Sequence, residues 1–177
     1  MCQQCETKPV YEFTNKRKLC RNCYVYWFEK KFLYTIRRFN MISKKDILGY
    51  ENKKDFRNVT LIYLLKMLER KSPIRVNARN FNKKAVANTT DIVSGKIIHN
   101  FIKKNFNIKI KPIENKIIYP LYLFLDTEVL LYAKIKKLKF VSIKKTKSKW
   151  FDFVESLEKK HPEIKRAIVN SYLELFC

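Results

Sequence analysis

Two Cys-x-x-Cys pairs open the chain, Cys2-x-x-Cys5 and Cys20-x-x-Cys23, separated by 14 residues. Each pair brings two sulfurs within reach of one ion, and two such knuckles close the tetrahedral thiolate shell that Zn²⁺ favours in structural sites. Residues 1–24 therefore read as a zinc ribbon with Cys2, Cys5, Cys20 and Cys23 as ligands. A catalytic zinc is not expected, because four protein thiolates leave no position for water. Disulfides or a redox pair are the other uses of such thiols. A disulfide-rich domain, however, spreads its cysteines through the chain, and a redox Cys-x-x-Cys belongs singly between a strand and a helix.

Charge sets the second constraint. Thirty-nine Lys and Arg stand against 16 Asp and Glu in 177 residues, a formal charge of +23. An excess this large calls for an anionic partner, and nucleic acid is the first choice, since releasing condensed counterions supplies affinity without base-specific contacts. A Lys-, Asn- and Ile-rich chain with two glycines also has the look of an AT-biased genome, so charge alone does not decide the matter. No apolar run approaches the ~20 residues that span a bilayer, so a cytoplasmic protein with no membrane partner is expected.

Hydrophobic periodicity supplies the rest of the frame. Phe28, Phe32, Ile36 and Phe39 mark an amphipathic linker helix over 25–40, directly after the ribbon. Residues 41–177 then alternate strand-like and helix-like segments. Strands are expected at 45–50, 74–76, 84–87, 108–113 and 140–143, and helices at 59–68, 91–104, 127–138, 149–159 and 162–175. Asp126 is the expected cap of the fourth of these helices, counting the linker helix first, and Pro162 the start of the last. The pattern is that of an α/β domain with a parallel sheet and flanking helices.

These residues carry a family resemblance. The four cysteines, Phe28-Glu29 and Thr35-Ile36-Arg37 are followed in order by Lys111-Pro112-Ile113, Thr127-Glu128-Val129, Tyr132-Ala133 and the run from Leu157 to Lys165. Together they resemble the zinc-ribbon PP-loop tRNA thiolation proteins, ATP-dependent sulfurtransferases that make 2-thiouridine. The resemblance implies a ribbon plus a reduced PP-loop-like (adenine nucleotide α-hydrolase-like) domain with tRNA as partner. The catalytic parts depart from it. The family's S-G-G-K-D-S loop is replaced by Glu51-Asn52-Lys53-Lys54-Asp55-Phe56, which keeps Lys54 and Asp55 but loses the glycines that wrap phosphates. Asn88-Thr89-Thr90-Asp91 stands where the family has G-H-x-x-D-D. Cys177 is the one cysteine outside the ribbon, so neither sulfur-carrying cysteines nor an iron–sulfur cluster are expected, and ATP binding is in doubt.

Candidate RNA contacts are Lys16, Arg17, Lys18 and Arg21 on the ribbon, Arg37 and Arg38 on the linker helix, and Lys144 and Lys145 before the fifth helix. Each has an alternative as solvated charge. Lys54 and Asp55 are the weak nucleotide-site candidates. His99 and His161 lack a ligand partner and read as structural. Trp150, Phe151 and Phe153 fit a core better than a stacking platform. No catalytic residue is legible. The leading expectation is a non-catalytic tRNA-binding subunit, partnered by an intact PP-loop homologue on the precedent of eukaryotic thiolation complexes. A diverged active sulfurtransferase and an unrelated zinc-ribbon RNA-binding protein are the alternatives.

Overall fold

The first 24 residues are organised by the two knuckles and a short antiparallel hairpin between them. Strand β1 (Tyr11–Glu12) pairs with β2 (Lys18–Leu19) in the computed structural model, which describes residues 1–105, 110–142 and 149–176. Lys16 takes a positive φ of 67° in the hairpin turn, and Asn15 Oδ1 accepts the Arg17 N–H there. Asn side chains stabilise tight turns in this way.

Helix α1 (Arg21–Arg38) starts inside the second knuckle, earlier than its periodicity predicts. Tyr24, Phe28, Phe32 and Ile36 recur every fourth residue, so one stripe is buried. The helix ends where Asn40 turns left-handed (φ 50°) and the Met41 N–H donates to the Ile36 carbonyl at 3.0 Å, a stop that Asn tolerates.

The sheet follows. Strands β3 (Ile47–Tyr50), β4 (Arg75–Val76), β5 (Lys83–Ala85), β6 (Ile113–Glu114) and β7 (Ile117–Ile118) are ordered β4-β3-β5-β7-β6. The first four positions are parallel, and β6 is an antiparallel edge joined to β7 by a turn with Asn115 at φ 54°. Gly49 in β3 is required by close approach, since a Cβ there would run into the Phe81 ring.

Helices α2 (Phe56–Glu69) and α3 (Thr90–Ile102) make the crossovers, with α4 (Asp126–Ile135), α5 (Lys149–Lys160) and α6 (Ile164–Phe176) completing the described elements. One core joins α1, α2 and α4 to the sheet through Phe28, Leu48, Leu64, Ile118, Phe124 and Tyr132. Phe28 stacks on Tyr132 at 4.2 Å and meets Phe124 at 4.5 Å. A second core joins α3 to α6 through Val93, Ile97, Tyr122, Val169 and Leu173. No described helix is long and apolar enough to cross a membrane.

The sheet departs from the sequence expectation at its edge. The strand placed at 108–113 lies partly outside the described residues, and the described part pairs over Ile113–Glu114 alone, while β7 carried no sequence signal of its own. At 140–143, Val141 makes a single parallel bridge to Asp55, and Ile143 lies outside the described residues.

Helix ends also move. Asp126 is the first residue of α4 rather than its cap, because its carboxylate is committed to Arg57 and Thr89. That helix stops at Ile135, where Lys137 turns left-handed and the Leu138 N–H closes on the Ala133 carbonyl. The last helix begins at Ile164, so Pro162 sits in the turn before it.

Glu128 ties these layers together. Its side chain is fully buried and accepts hydrogen bonds from the Leu125 N–H at 2.9 Å, Lys31 of α1 at 3.0 Å and Arg166 of α6 at 2.6 Å. Burial draws the Lys31 amine below its usual range, against the Glu128 charge that holds it up. Removing one partner from a buried ion pair leaves the others uncompensated, at a cost of about 3–5 kcal/mol. Glu128→Gln should therefore lower stability by about that amount and the melting temperature by on the order of 10 °C, read by chemical and thermal denaturation.

Candidate functional site

Four sulfurs converge at the ribbon. Cys2 and Cys5 lie on a turn closed by the Glu6 N–H donating to the Cys2 carbonyl at 3.0 Å, with Glu6 left-handed at φ 59°. Cys20 stands at the N-cap of α1, and Cys23 is in the first turn. All four Sγ atoms lie within 4.8 Å of one another, with Cys5 at 3.3 Å from Cys20 and 3.5 Å from Cys23. These are free thiols, too far apart for the ~2.05 Å of a disulfide. Zn–S bonds of about 2.3 Å in a tetrahedron put sulfurs about 3.8 Å apart, so the cluster has the dimensions of a one-ion site. Hydrogen bonding to the Thr7 hydroxyl and the Cys23 backbone draws Cys20 down to about 6, while hydrogen bonding with Cys5, together with burial, pushes Cys23 up to about 12. Crowded thiols divide their protons unevenly in this way, and a metal ion resolves the competition by displacing them.

A second candidate site lies where the sheet changes direction. From β3 the chain crosses over α2 to β4 on one side, and from β5 it crosses over α3 to β7 on the other. The C-terminal ends of β3 and β5 therefore flank a topological switch point, where open α/β sheets bind ligands. A cavity of about 230 Å³ occupies it, lined by Glu51, Lys53, Asp55 and Arg57 from one side and Ala87 and Asn88 from the other.

The chain's own carboxylates engage the polar groups of this crevice. Asp55 caps α2, its Oδ1 accepting the N–H groups of Arg57 at 3.0 Å and Asn58 at 3.1 Å. Glu51 pairs with Lys53 at 2.6 Å and Lys84 at 2.9 Å, and these two lysines hold its carboxyl below the ordinary range. Arg57 pairs with Asp126, which also accepts from the Thr89 hydroxyl at 2.7 Å. Asp91 receives the Asp126 N–H at 2.7 Å and the Lys165 ammonium at 2.5 Å, and Lys165 reaches on to Glu158 at 2.6 Å. Burial, with the nearby Asp126 charge, raises the Asp91 carboxyl.

The structure brings Lys54 and Asp55 to the crevice loop in different ways. Asp55 lines it, whereas the Lys54 side chain is exposed and its carbonyl accepts the Val141 N–H at 2.7 Å. On the ribbon, Lys16 is exposed at the hairpin tip, the Arg17 guanidinium lies over the Phe13 ring, and Lys18 pairs with Glu12 at 3.2 Å. Arg21 is exposed but donates to the Ile135 carbonyl at 2.8 Å, closing the end of α4. Arg37 and Arg38 are exposed at the end of α1. Lys144, Lys145 and Cys177 lie outside the described residues. His99 rests against Trp150 at 5.7 Å, and Phe153 is exposed. Sequence reasoning missed the Glu51–Lys84 pair and the Asp91–Lys165–Glu158 chain, whose members are far apart in sequence and share no motif.

A four-thiol ribbon, a helix leading from it and a parallel sheet with its crevice at the switch point define the fold of the PP-loop tRNA thiolases. Among solved structures, the chain is similar to the U34-tRNA thiolase NcsA from Methanococcus maripaludis, solved with its [4Fe-4S] cluster. The TM-score is 0.80 at 16% identity, over 98% of this chain and 87% of that one. No family model matches the sequence, and no curated protein matches it. The shared fold corrects one expectation: the dismissal of an iron–sulfur cluster does not stand, because NcsA was solved with one and clustered cysteine thiolates ligate such clusters as well as zinc.

Two outcomes follow. The purified protein should carry a metal centre that Cys20→Ser abolishes together with ordered ribbon structure, since metal binding and folding of such modules are one equilibrium. Elemental analysis separates one zinc per chain from iron with acid-labile sulfide. The depressed Glu51 carboxyl stabilises the loop above its unfolded value of 4.5, and this contribution is lost as pH falls through the lower folded value. Because the pair is partly exposed, it is worth no more than about 1 kcal/mol. An NMR titration should find Glu51 below 4.5, returning towards it in the Lys53→Met, Lys84→Met double variant.

Proposed function

We propose that this protein binds tRNA as a non-catalytic member of the tRNA thiolation machinery, working with an intact PP-loop homologue in the cytoplasm. The observation that carries this reading is the occupation of the switch-point crevice by the chain's own carboxylates. A nucleotide loop holds phosphate with backbone N–H groups at a helix N-terminus and with free cations. Here Asp55 already accepts the N–H groups of the first turn of α2, and Glu51 engages Lys53 and Lys84. Glu51 also places a negative charge where polyphosphate would lie, and the loop has no glycine to let the backbone wrap it.

The charge of +23 supports tRNA as the partner, as does NcsA's activity as a tRNA thiolase. A metal centre on Cys2, Cys5, Cys20 and Cys23 would fix the direction of the hairpin that carries Lys16, Arg17 and Lys18. A second reading, a diverged active sulfurtransferase, would need ATP to draw Lys53 and Lys84 from Glu51, and Arg57 from Asp126, the cations that stand at or beside the crevice.

Calorimetry with ATP and assays of 2-thiouridine formation separate the two. The isolated protein should bind ATP weakly and thiolate no tRNA, and ATP-dependent thiolation abolished by Asp55→Ala would restore the enzyme. Binding of tRNA should weaken with salt at a log-log slope of about 0.7–0.9 per phosphate neutralised, and changing Lys16, Arg17 and Lys18 to Ala should flatten that slope. Salt-independent binding would remove the ribbon from the RNA surface.

A further inference from the structure

The outer face of α1 carries a pattern that its packing does not explain. Tyr24, Phe28, Phe32 and Ile36 turn inwards, while Tyr26, Lys30, Tyr34 and the Arg37–Arg38 pair follow one another at helical spacing on the outside. Tyr26 is 65% exposed and Tyr34 51%. Single exposed aromatics are ordinary on protein surfaces. Two on one stripe, alternating with three cations, form a different kind of surface.

Charge selects the partner. Glu29 is the one carboxylate in α1, and it faces inwards, accepting from the Tyr132 hydroxyl at 2.8 Å and pairing with Lys136 at 3.0 Å. The stripe therefore presents cations and ring faces without an acidic group of its own helix. The Lys30 ammonium lies 6.0 Å from the centre of the Tyr26 ring, so ring and cation already form one amphipathic unit. At 1.5 Å of rise per residue, Tyr26 and Tyr34 stand about 12 Å apart along the axis, a span of several stacked bases. Alternating stacking platforms and phosphate-pairing cations are what single-stranded nucleic acid binds, since every base offers a π face and every linkage an anion.

We propose that the outer face of α1 is a stacking track for an unpaired RNA segment, with Tyr26 and Tyr34 receiving bases and Lys30, Arg37 and Arg38 receiving phosphates. This rests on the RNA-binding reading and adds to it the strandedness of the ligand and two residues that charge alone would not single out. It also gives α1 two faces with separate tasks, an inner one that holds the ribbon on the domain and an outer one that meets RNA.

The test uses the full chain, a fluorescently labelled single-stranded oligouridylate, a duplex RNA of the same length and tRNA. The Tyr26→Ala and Tyr34→Ala variants should each weaken single-strand binding about five- to a hundredfold without changing its salt slope. The corresponding Phe variants, which keep the ring, should bind nearly as wild type, and duplex binding should change little. Thermal melting confirms that these exposed substitutions leave the fold intact. An Ala double variant that binds the single strand as wild type, while wild type binds tRNA, would overturn the track alone. Wild type that binds none of the RNAs would overturn the RNA-binding reading and the track with it. A double variant that loses a self-associated or complexed mass by light scattering, with RNA affinity intact, would make this face a protein interface and overturn the proposal.

Discussion

The Glu128 carboxylate is taken entirely out of water, and an isolated charge so placed would cost several kcal/mol. The fold supplies Lys31 from α1 and Arg166 from α6, so three helices distant in sequence have to meet at one point before the charge is compensated. The backbone at the same residue takes part as well, the Tyr24 hydroxyl donating to the Glu128 carbonyl at 2.8 Å. Geometric specificity at this point is what a generic apolar contact would lack. Around it the Phe28–Tyr132 stack and the Tyr132–Glu29–Lys136 cluster complete the interface between α1 and α4.

The ribbon depends on that interface. Cys20 and Cys23 belong to the N-terminus of α1, so the direction in which the thiolate cluster faces is the direction of the helix. Tyr11 of the hairpin lies near the same buried charge: burial and Glu128 raise its hydroxyl, opposed by Arg166. The four-thiol cluster at one end of α1 and an ion-pair cluster along it thus belong to one helix.

At the switch point the sequence and the fold speak to different questions. The replacement of S-G-G-K-D-S by Glu51 to Phe56 is visible in the sequence and argues against phosphate wrapping by itself. That Asp55 caps α2 could be anticipated from its place before a helical pattern. That Glu51 engages Lys84 could not, because the two are brought together only by the pairing of β3 with β5, in which Gly49 stands opposite Lys84. Asp126 is the clearest case of a wrong local reading. Its type and position suit a helix cap, yet Arg57 and Thr89 take its carboxylate.

By itself the sequence determined the thiol cluster, the amphipathic helices and the alternation of strands and helices, because ligand spacing and hydrophobic periodicity are local properties of the chain. Only the tertiary structure decided which charges are neutralised inside the protein and which remain for a partner. Glu128, Asp91 and Glu51 find their cations across 33 to 97 residues of chain or within a single loop, and no local pattern distinguishes these outcomes. Strand β7 belongs to the same class, since two residues form a strand only because β5 and β6 flank them.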